Sequence, residues 1–316
     1  MCGIVAATAR REVSEILLEG LRRLEYRGYD SAGIALVDNE RNLQLHKQLG
    51  RVIELERAQV LNPILGCSGI AHTRWATHGE PSVANAHPHL SADRVALVHN
   101  GIIENHNELR EELRSQGYDF SSVTDTEVVV HLLHQQLARG NTLLEAMQNT
   151  VVRLDGAYAL AAIDAQNPQE IVAARKGSPL VIGIGIGENF LASDQMALRQ
   201  VTDRFIYLEE GDVAVVSPTG LQIFDQSGEA VARPTTMISE AVEVADKGEY
   251  EHFMLKEIYQ QPQALRATLG NIPAAAIVQD EVFGEQSAAI FDRVKAVQIV
   301  ACGTSVHAGM VARYWL

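Results

Sequence analysis

The second residue of this 316-residue chain is a cysteine, and its place beside Met1 is what gives it chemical interest. If Met1 is removed, Cys2 becomes the N-terminus and carries a thiol nucleophile and an α-amine on one residue. An α-amine titrates near about 7.7–8.0 and a thiol near about 8.5, so near neutral pH the amine can take the thiol's proton directly or through a water. Taken alone, Met1-Cys2 reads more simply as the start of a buried strand, since unpaired cysteine is a common core residue.

Other stretches could serve such a nucleophile. Gly69 to Pro81 is a short strand entering a polar loop that carries Arg74, Trp75, Thr77 and His78. The arginine fork suits a carboxylate, Thr77 and His78 can add hydrogen bonds, and Trp75 can cover a small ligand. His99-Asn100-Gly101 reads as a turn after the buried strand Val95 to Val98. There the Asn100 amide and the Gly101 N–H are donors of the kind that hold an oxyanion, although Asn-Gly is also a favoured hairpin turn. Asp125 reads most simply as an N-cap of the helix Val128 to Leu137, or alternatively as a carboxylate facing a substrate ammonium. Arg27 sits on a glycine-flanked loop, Tyr26 to Gly33, at a strand edge.

The elements that must position these groups show in the hydrophobic pattern. Val13, Ile16, Leu17, Leu21 and Leu24 recur at helical spacing, and Asn105 to Glu108 offers a capping box for a helix carrying Leu109 and Leu113. From Ala157 to Phe224 seven short apolar runs alternate with turn residues, which predicts antiparallel sheet. Gly183-x-Gly185-x-Gly187 lacks dinucleotide spacing and a following helix, so it reads as turn chemistry. Helices and strands alternate early and strands follow in quick succession, which implies stacked layers with sheets inside. Residues 229–250 read as a linker, followed by a helix over His252 to Leu269 and a strand over Val297 to Ala301. That strand enters Cys302-Gly303-Thr304-Ser305, where hydroxyls and N–H groups could hold a phosphate. The chain stops at Leu316 in the middle of an apolar helix, as a piece of a longer protein would.

Composition narrows the function classes. With 26 Lys and Arg against 40 Asp and Glu, the net charge of −14 argues against nucleic-acid binding. No apolar run has the length of a membrane span and no basic leader precedes one, so a cytoplasmic protein is expected. Three cysteines, Cys2, Cys67 and Cys302, suit a reducing compartment better than a disulfide framework. His72, His78, His87 and His89 lie close in sequence, but their spacing matches no zinc motif; neither metal nor cofactor is expected.

Cys2-Gly3-Ile4-Val5, Tyr26 to Gly33, His72 to Gly79, His99-Asn100-Gly101 and Thr124 to Glu127, in that order, resemble the glutamine:fructose-6-phosphate amidotransferase family. Cys2 with Asn100-Gly101 alone would fit any class II glutamine amidotransferase. The resemblance implies an α+β, N-terminal-nucleophile hydrolase αββα sandwich over residues 2–240. A linker and the incomplete start of an α/β sugar-isomerase (SIS) domain would fill residues 241–316. It implies Cys2 as nucleophile and Asn100 and Gly101 as the oxyanion hole. Arg74, Thr77 and His78 would bind glutamine, Arg74 through its carboxylate, with Asp125 facing its ammonium. Trp75 would gate the ammonia path, Arg27 would lie at a mobile edge between two sites, and Thr304 and Ser305 would begin a phosphosugar site. Implied partners are L-glutamine and, for the full-length enzyme, fructose 6-phosphate and a second copy of the chain. Rival readings are an amidotransferase with another acceptor, or a catalytically silent sensor that keeps Met1.

Overall fold

Gly3 to Ala9 shows no polar alternation, and such a run makes a stable strand only if both its faces are covered. They are covered. β1 (Gly3–Ala9) is buried at every residue inside an eight-stranded antiparallel sheet. With strands numbered along the chain, this first sheet begins β15 (Thr235–Met237), β11 (Arg204–Tyr207), β9 (Val181–Ile184) and β10 (Glu188–Ala192). It continues through β1 to β4 (Ser68–Arg74), β2 (Ser31–Val37) and β3 (Leu43–Leu49). The second sheet has seven strands, starting with β14 (Ala230–Val231), β13 (Leu221–Phe224), β12 (Val213–Val216) and β8 (Asn167–Lys176). β7 (Gly156–Asp164), β6 (Val95–Ile103) and β5 (His89–Ser91) complete it. This computed structural model describes residues 2–38, 40–76, 79–238, 249–269, 287–301 and 303–315.

Three apolar clusters define the layers. α1 (Ser14–Leu24) and α2 (Val52–Leu61) pack Leu17, Leu21, Leu24 and Leu55 onto Val5, Ala7 and Ile34 of the first sheet. α3 (His106–Ser115), α4 (Thr126–Ala138) and α5 (Leu143–Val151) pack onto the second, through Leu113, Val129, Leu133 and Met147 against Val95, Leu97 and Leu160. Between the sheets Ile4, Ala6 and Ile70 meet Val98, Ala161 and Ala173. The order is helix, sheet, sheet, helix, the αββα sandwich expected from the resemblance.

This layering decides which side chains can meet. Strand side chains alternate with a period of two. On β1, β4 and β6 the even-numbered residues Ile4, Ile70 and Val98 face the gap between the sheets. Extending that alternation to the strand ends places Cys2, His72, Arg74 and Asn100 on the same inner face.

Some local expectations are corrected. Asn100-Gly101 is not a turn, because β6 continues to Ile103 and pairs Asn100 with Ala159 and Gly101 with Tyr158 of β7. Asn105 makes no capping box: its amide donates to Arg153 O and its oxygen accepts from the Asp155 N–H, tying α3 to the start of β7 instead. A capping box does form at Thr142 and Glu145 of α5. The chain divides into two units, Met1–Ala245 and Asp246–Leu316. The second contains α6 (Phe253–Leu269), α7 (Ser287–Phe291) and α8 (Gly303–Ala312). Val297 to Ala301 is not a strand among the described residues, since no neighbouring segment there supplies the ladder a strand needs.

Candidate active site

The Cys2 sulfur is held by backbone. Its thiol donates to Trp75 O at 3.5 Å, and Sγ accepts from the Trp75 N–H at 3.3 Å. Trp75 follows directly on the end of β4, whose register with β1 pairs Gly3 with Thr73. The turn before β2 braces this junction from outside. Thr73 donates its hydroxyl to Gly28 O, the Asp30 carboxylate accepts from the Ala76 N–H, and Asp30 N donates to Arg74 O. A Cβ on Gly28 would lie 2.8 Å from the Arg74 carbonyl carbon and 2.9 Å from Trp75 N, so only glycine admits this approach. Tyr29 meets the Trp75 ring edge-on at 5.7 Å.

Asn100 arrives from the second sheet. Its Nδ2 donates to Cys2 O at 3.1 Å, which ties β6 to the backbone of Cys2, and its Oδ1 lies 3.0 Å from His72 Nε2. β5 pairs with β6 only as far as Leu97, so β6 beyond that point has one open edge. Along that edge the His99 N–H donates to His87 Nδ1 and the Ile103 N–H to Asp125 Oδ2 at 2.8 Å. Strand alternation places the Gly101 N–H between them on the same side. Gly101 has φ +132°, and a Cβ there would collide with the Ala157 carbonyl oxygen. Gly101→Ala is therefore expected to lose roughly 3 kcal/mol or more of stability, measured by urea unfolding.

Asp125 precedes α4 but does not cap it, and its carboxylate instead reaches across to Ile103 N. It is buried, at 4.0 Å from His99 Nδ1, which also contacts the Thr126 hydroxyl at 2.9 Å. Arg74 is 4 % exposed and its guanidinium donates to Gly79 O at 3.3 Å. Cys2, Arg74, Trp75, Gly101 and Asp125 line one narrow pocket of about 20 Å³, room for about one water. Trp75 is 48 % exposed, so it is the wall most easily displaced to enlarge the pocket. A larger cavity of about 580 Å³ opens at the other end of β1, lined by Arg10, Asp38, Cys67 and Ser217. It includes none of the residues that converge on Cys2, so size is a poor guide to the chemistry here.

Burial pushes the Cys2 thiol above its ordinary pKa, opposed by the Trp75 N–H and by the positive charges of the amino terminus and Arg74. The thiol is therefore mostly protonated near neutral pH and needs a base. Burial also drives His72 down to about 3, and His87 and His89 well below their ordinary values, so all three are neutral. Among the described residues no group of three His, Cys, Asp or Glu side chains is placed to hold a metal ion.

Of the residues singled out in the sequence, Cys2, Arg74, Trp75, Asn100, Gly101 and Asp125 come together. Thr77 and His78 lie outside the described residues. Arg27 ends the 3-10 turn Glu25–Arg27, and Thr304 and Ser305 lie in the first turn of α8 in the second unit, both exposed. A glutamine amidotransferase domain pattern matches residues 72–200. These residues carry a glutamine amidotransferase domain. The chain has 60 % identity, over all 316 residues, to the glutamine–fructose-6-phosphate aminotransferase (isomerizing) of Pseudomonas aeruginosa, covering 52 % of that protein. The Vibrio parahaemolyticus protein of the same name is 58 % identical with the same coverage. The chain thus spans about half the length of the curated relatives it matches. Among solved structures, the Bacillus subtilis glutamine phosphoribosylpyrophosphate amidotransferase superposes with TM-score 0.63 at 29 % identity, over 72 % of this chain and 50 % of that one.

The sequence did not single out His87, His99, Thr126 or Asp30 for this site. Of these only His99 lies on a strand, β6; the others reach the site from loops and from the first residue of α4, and no local pattern marks them.

Proposed function

We propose that Cys2, exposed by removal of Met1, hydrolyses glutamine. Its thiolate attacks the side-chain carboxamide carbon, and the C=O becomes a tetrahedral oxyanion held by the Asn100 amide and the Gly101 N–H. One Asn100 N–H is engaged by Cys2 O, and the other is the donor offered to the oxyanion. The C–N bond then breaks as the α-amine returns its proton, releasing ammonia and leaving a γ-glutamyl thioester. Water cleaves the thioester to glutamate and regenerates the thiol. A thiol is mostly protonated near neutral pH, and the α-amine freed on the same residue is a base that can take that proton. The observation that carries the reading is the convergence of Cys2, Gly101, Arg74 and Asp125 on one pocket, with the Asn100 amide bonded to the Cys2 carbonyl.

Arg74 pairs with the α-carboxylate of glutamine, assisted by Thr77 and His78, and Asp125 faces its ammonium. Asp125→Asn keeps an oxygen for the Ile103 N–H while removing the charge. Steady-state kinetics are expected to show the KM for glutamine raised about 10- to 100-fold with a smaller change in kcat, the worth of one charge-assisted contact.

In the whole protein, with residues 2–240 as the glutaminase domain and residues 241–316 as linker and start of a sugar-isomerase domain, ammonia passes to fructose 6-phosphate to give glucosamine 6-phosphate. Trp75 gates that passage, Arg27 lies at the edge between the two sites, and Thr304 and Ser305 contribute to the phosphosugar site. The names of the relatives and their extra length support this reading. Two assays test it. Glutamate release is measured on folded protein whose intact mass confirms loss of Met1, where no turnover overturns the hydrolase reading. The complete gene product is then given glutamine and fructose 6-phosphate, and failure to form glucosamine 6-phosphate overturns the acceptor alone.

A further inference from the structure

We propose that His72 is a positioning residue that holds the Asn100 side chain with its amide nitrogen, rather than its oxygen, toward Cys2; this rests on the oxyanion reading above. His72 Nε2 lies 3.0 Å from Asn100 Oδ1 and 3.1 Å from His99 O. Both neighbours are acceptors in this arrangement, so Nε2 must carry a proton and donate it. Nδ1 is buried without a partner, as the bare nitrogen of a neutral Nε2–H imidazole would be. Burial keeps the ring neutral by pushing its pKa down to about 3.

An asparagine amide is nearly symmetrical in shape, and its two orientations differ only in which neighbours they satisfy. Turned over, Asn100 would set NH2 against the His72 N–H, donor against donor, and its oxygen against Cys2 O, acceptor against acceptor. It would also present a partial negative charge to the oxyanion. His72 and the Cys2 carbonyl together make the productive orientation the only satisfied one. The ring is itself held: it is 1 % exposed on β4, stacked on His87 at 4.2 Å, and its strand neighbours across the sheet are Ile4 and Gly33.

The decisive experiment is a double-mutant cycle. Deleting an oxyanion donor, as in Asn100→Ala, is worth about 10²–10³ in kcat. His72→Leu, which fills the site without a donor, is expected to lower kcat about 10-fold or more with little change in the KM for glutamine. Rates are expressed per Cys2 labelled by a reactive glutamine analogue, which removes any contribution from unfolded molecules. His72→Gln places an N–H near the former Nε2 and is expected to recover most of the lost rate. In an Asn100→Ala background, His72→Leu is expected to have almost no further effect. Equal losses from His72→Leu in both backgrounds, or a His72→Gln variant as slow as His72→Leu, would overturn the assignment. An inactive parent protein would instead refute the hydrolase reading, so the two failures are separable.

Discussion

Cys2→Ala is expected to abolish glutamine hydrolysis, with a loss of about 10⁴-fold or more, while leaving the fold intact. The size of the loss follows from the role proposed for the sulfur. Without a nucleophile no thioester forms, and the remaining donors can only polarise a carboxamide for attack by water. The fold should survive because the side chain is only partly buried and its hydrogen bonds go to backbone, the Trp75 N–H and C=O. Asn100 binds the Cys2 carbonyl rather than the sulfur, so the tie between the sheets persists in the variant. Glutamate release and thermal unfolding, measured on the same preparation, check both halves. Retained turnover with an unchanged melting temperature would refute Cys2 as nucleophile.

Acid is expected to unfold the domain well before its carboxylates are fully titrated. His72, His87, His89 and His99 are each at most 5 % exposed, and burial lowers the pKa of every one; for His99 the nearby Asp125 carboxylate partly opposes this. The unfolded chain takes up a proton at each near about pH 6.5, whereas native His72 resists protonation down to about 3. In that window the unfolded state binds more protons. Stability is therefore complete above about pH 6.5 and falls as the pH drops through it, by about 1.4 kcal/mol per pH unit for each fully shifted histidine. His72 alone removes about 2 kcal/mol by pH 5, and the other three act in the same direction, against typical domain stabilities of about 5–15 kcal/mol. Glu127, whose pKa is lowered by bonds from Ser121 and Ser122, adds to the loss at still lower pH. Urea midpoints between pH 7.5 and 4.5 test this. A midpoint that does not move from pH 7 to 5 would contradict it, and His89→Gln, which removes one of these titrations, should flatten the slope.

The buried histidines also show where sequence reading stops. His72, His87 and His89 were visible as a group too irregular in spacing for a zinc site. Nothing local indicated that the three rings meet, His72 stacked on His87 at 4.2 Å and His89 edge-on to His87 at 4.9 Å. Asp125 illustrates the same limit: ahead of an apolar helix its local signature is that of a cap, yet its carboxylate bonds a strand 22 residues earlier. Asn-Gly likewise carries a turn signature. β7 overrides it by pairing straight through Gly101, whose positive φ the absence of a side chain permits.

The strands from Ala157 to Phe224, the α1 stripe and the ordered set of motifs were legible in the chain itself. Burial periodicity is a local property, and each motif is written in consecutive residues. The sequence thus determined the elements, the types of reactive group and, through the motif order, the family that the chain resembles. What only the tertiary structure decided is which of those groups meet. Cys2, His72 and Asn100 are up to 98 residues apart, and they meet because register pairs Ile4 with His72 and because the two inner sheet faces pack together. A one-residue slip of β4 against β1 would turn His72 and Arg74 toward the helices, and no stretch of sequence shorter than the whole sandwich contains the interactions that prevent it.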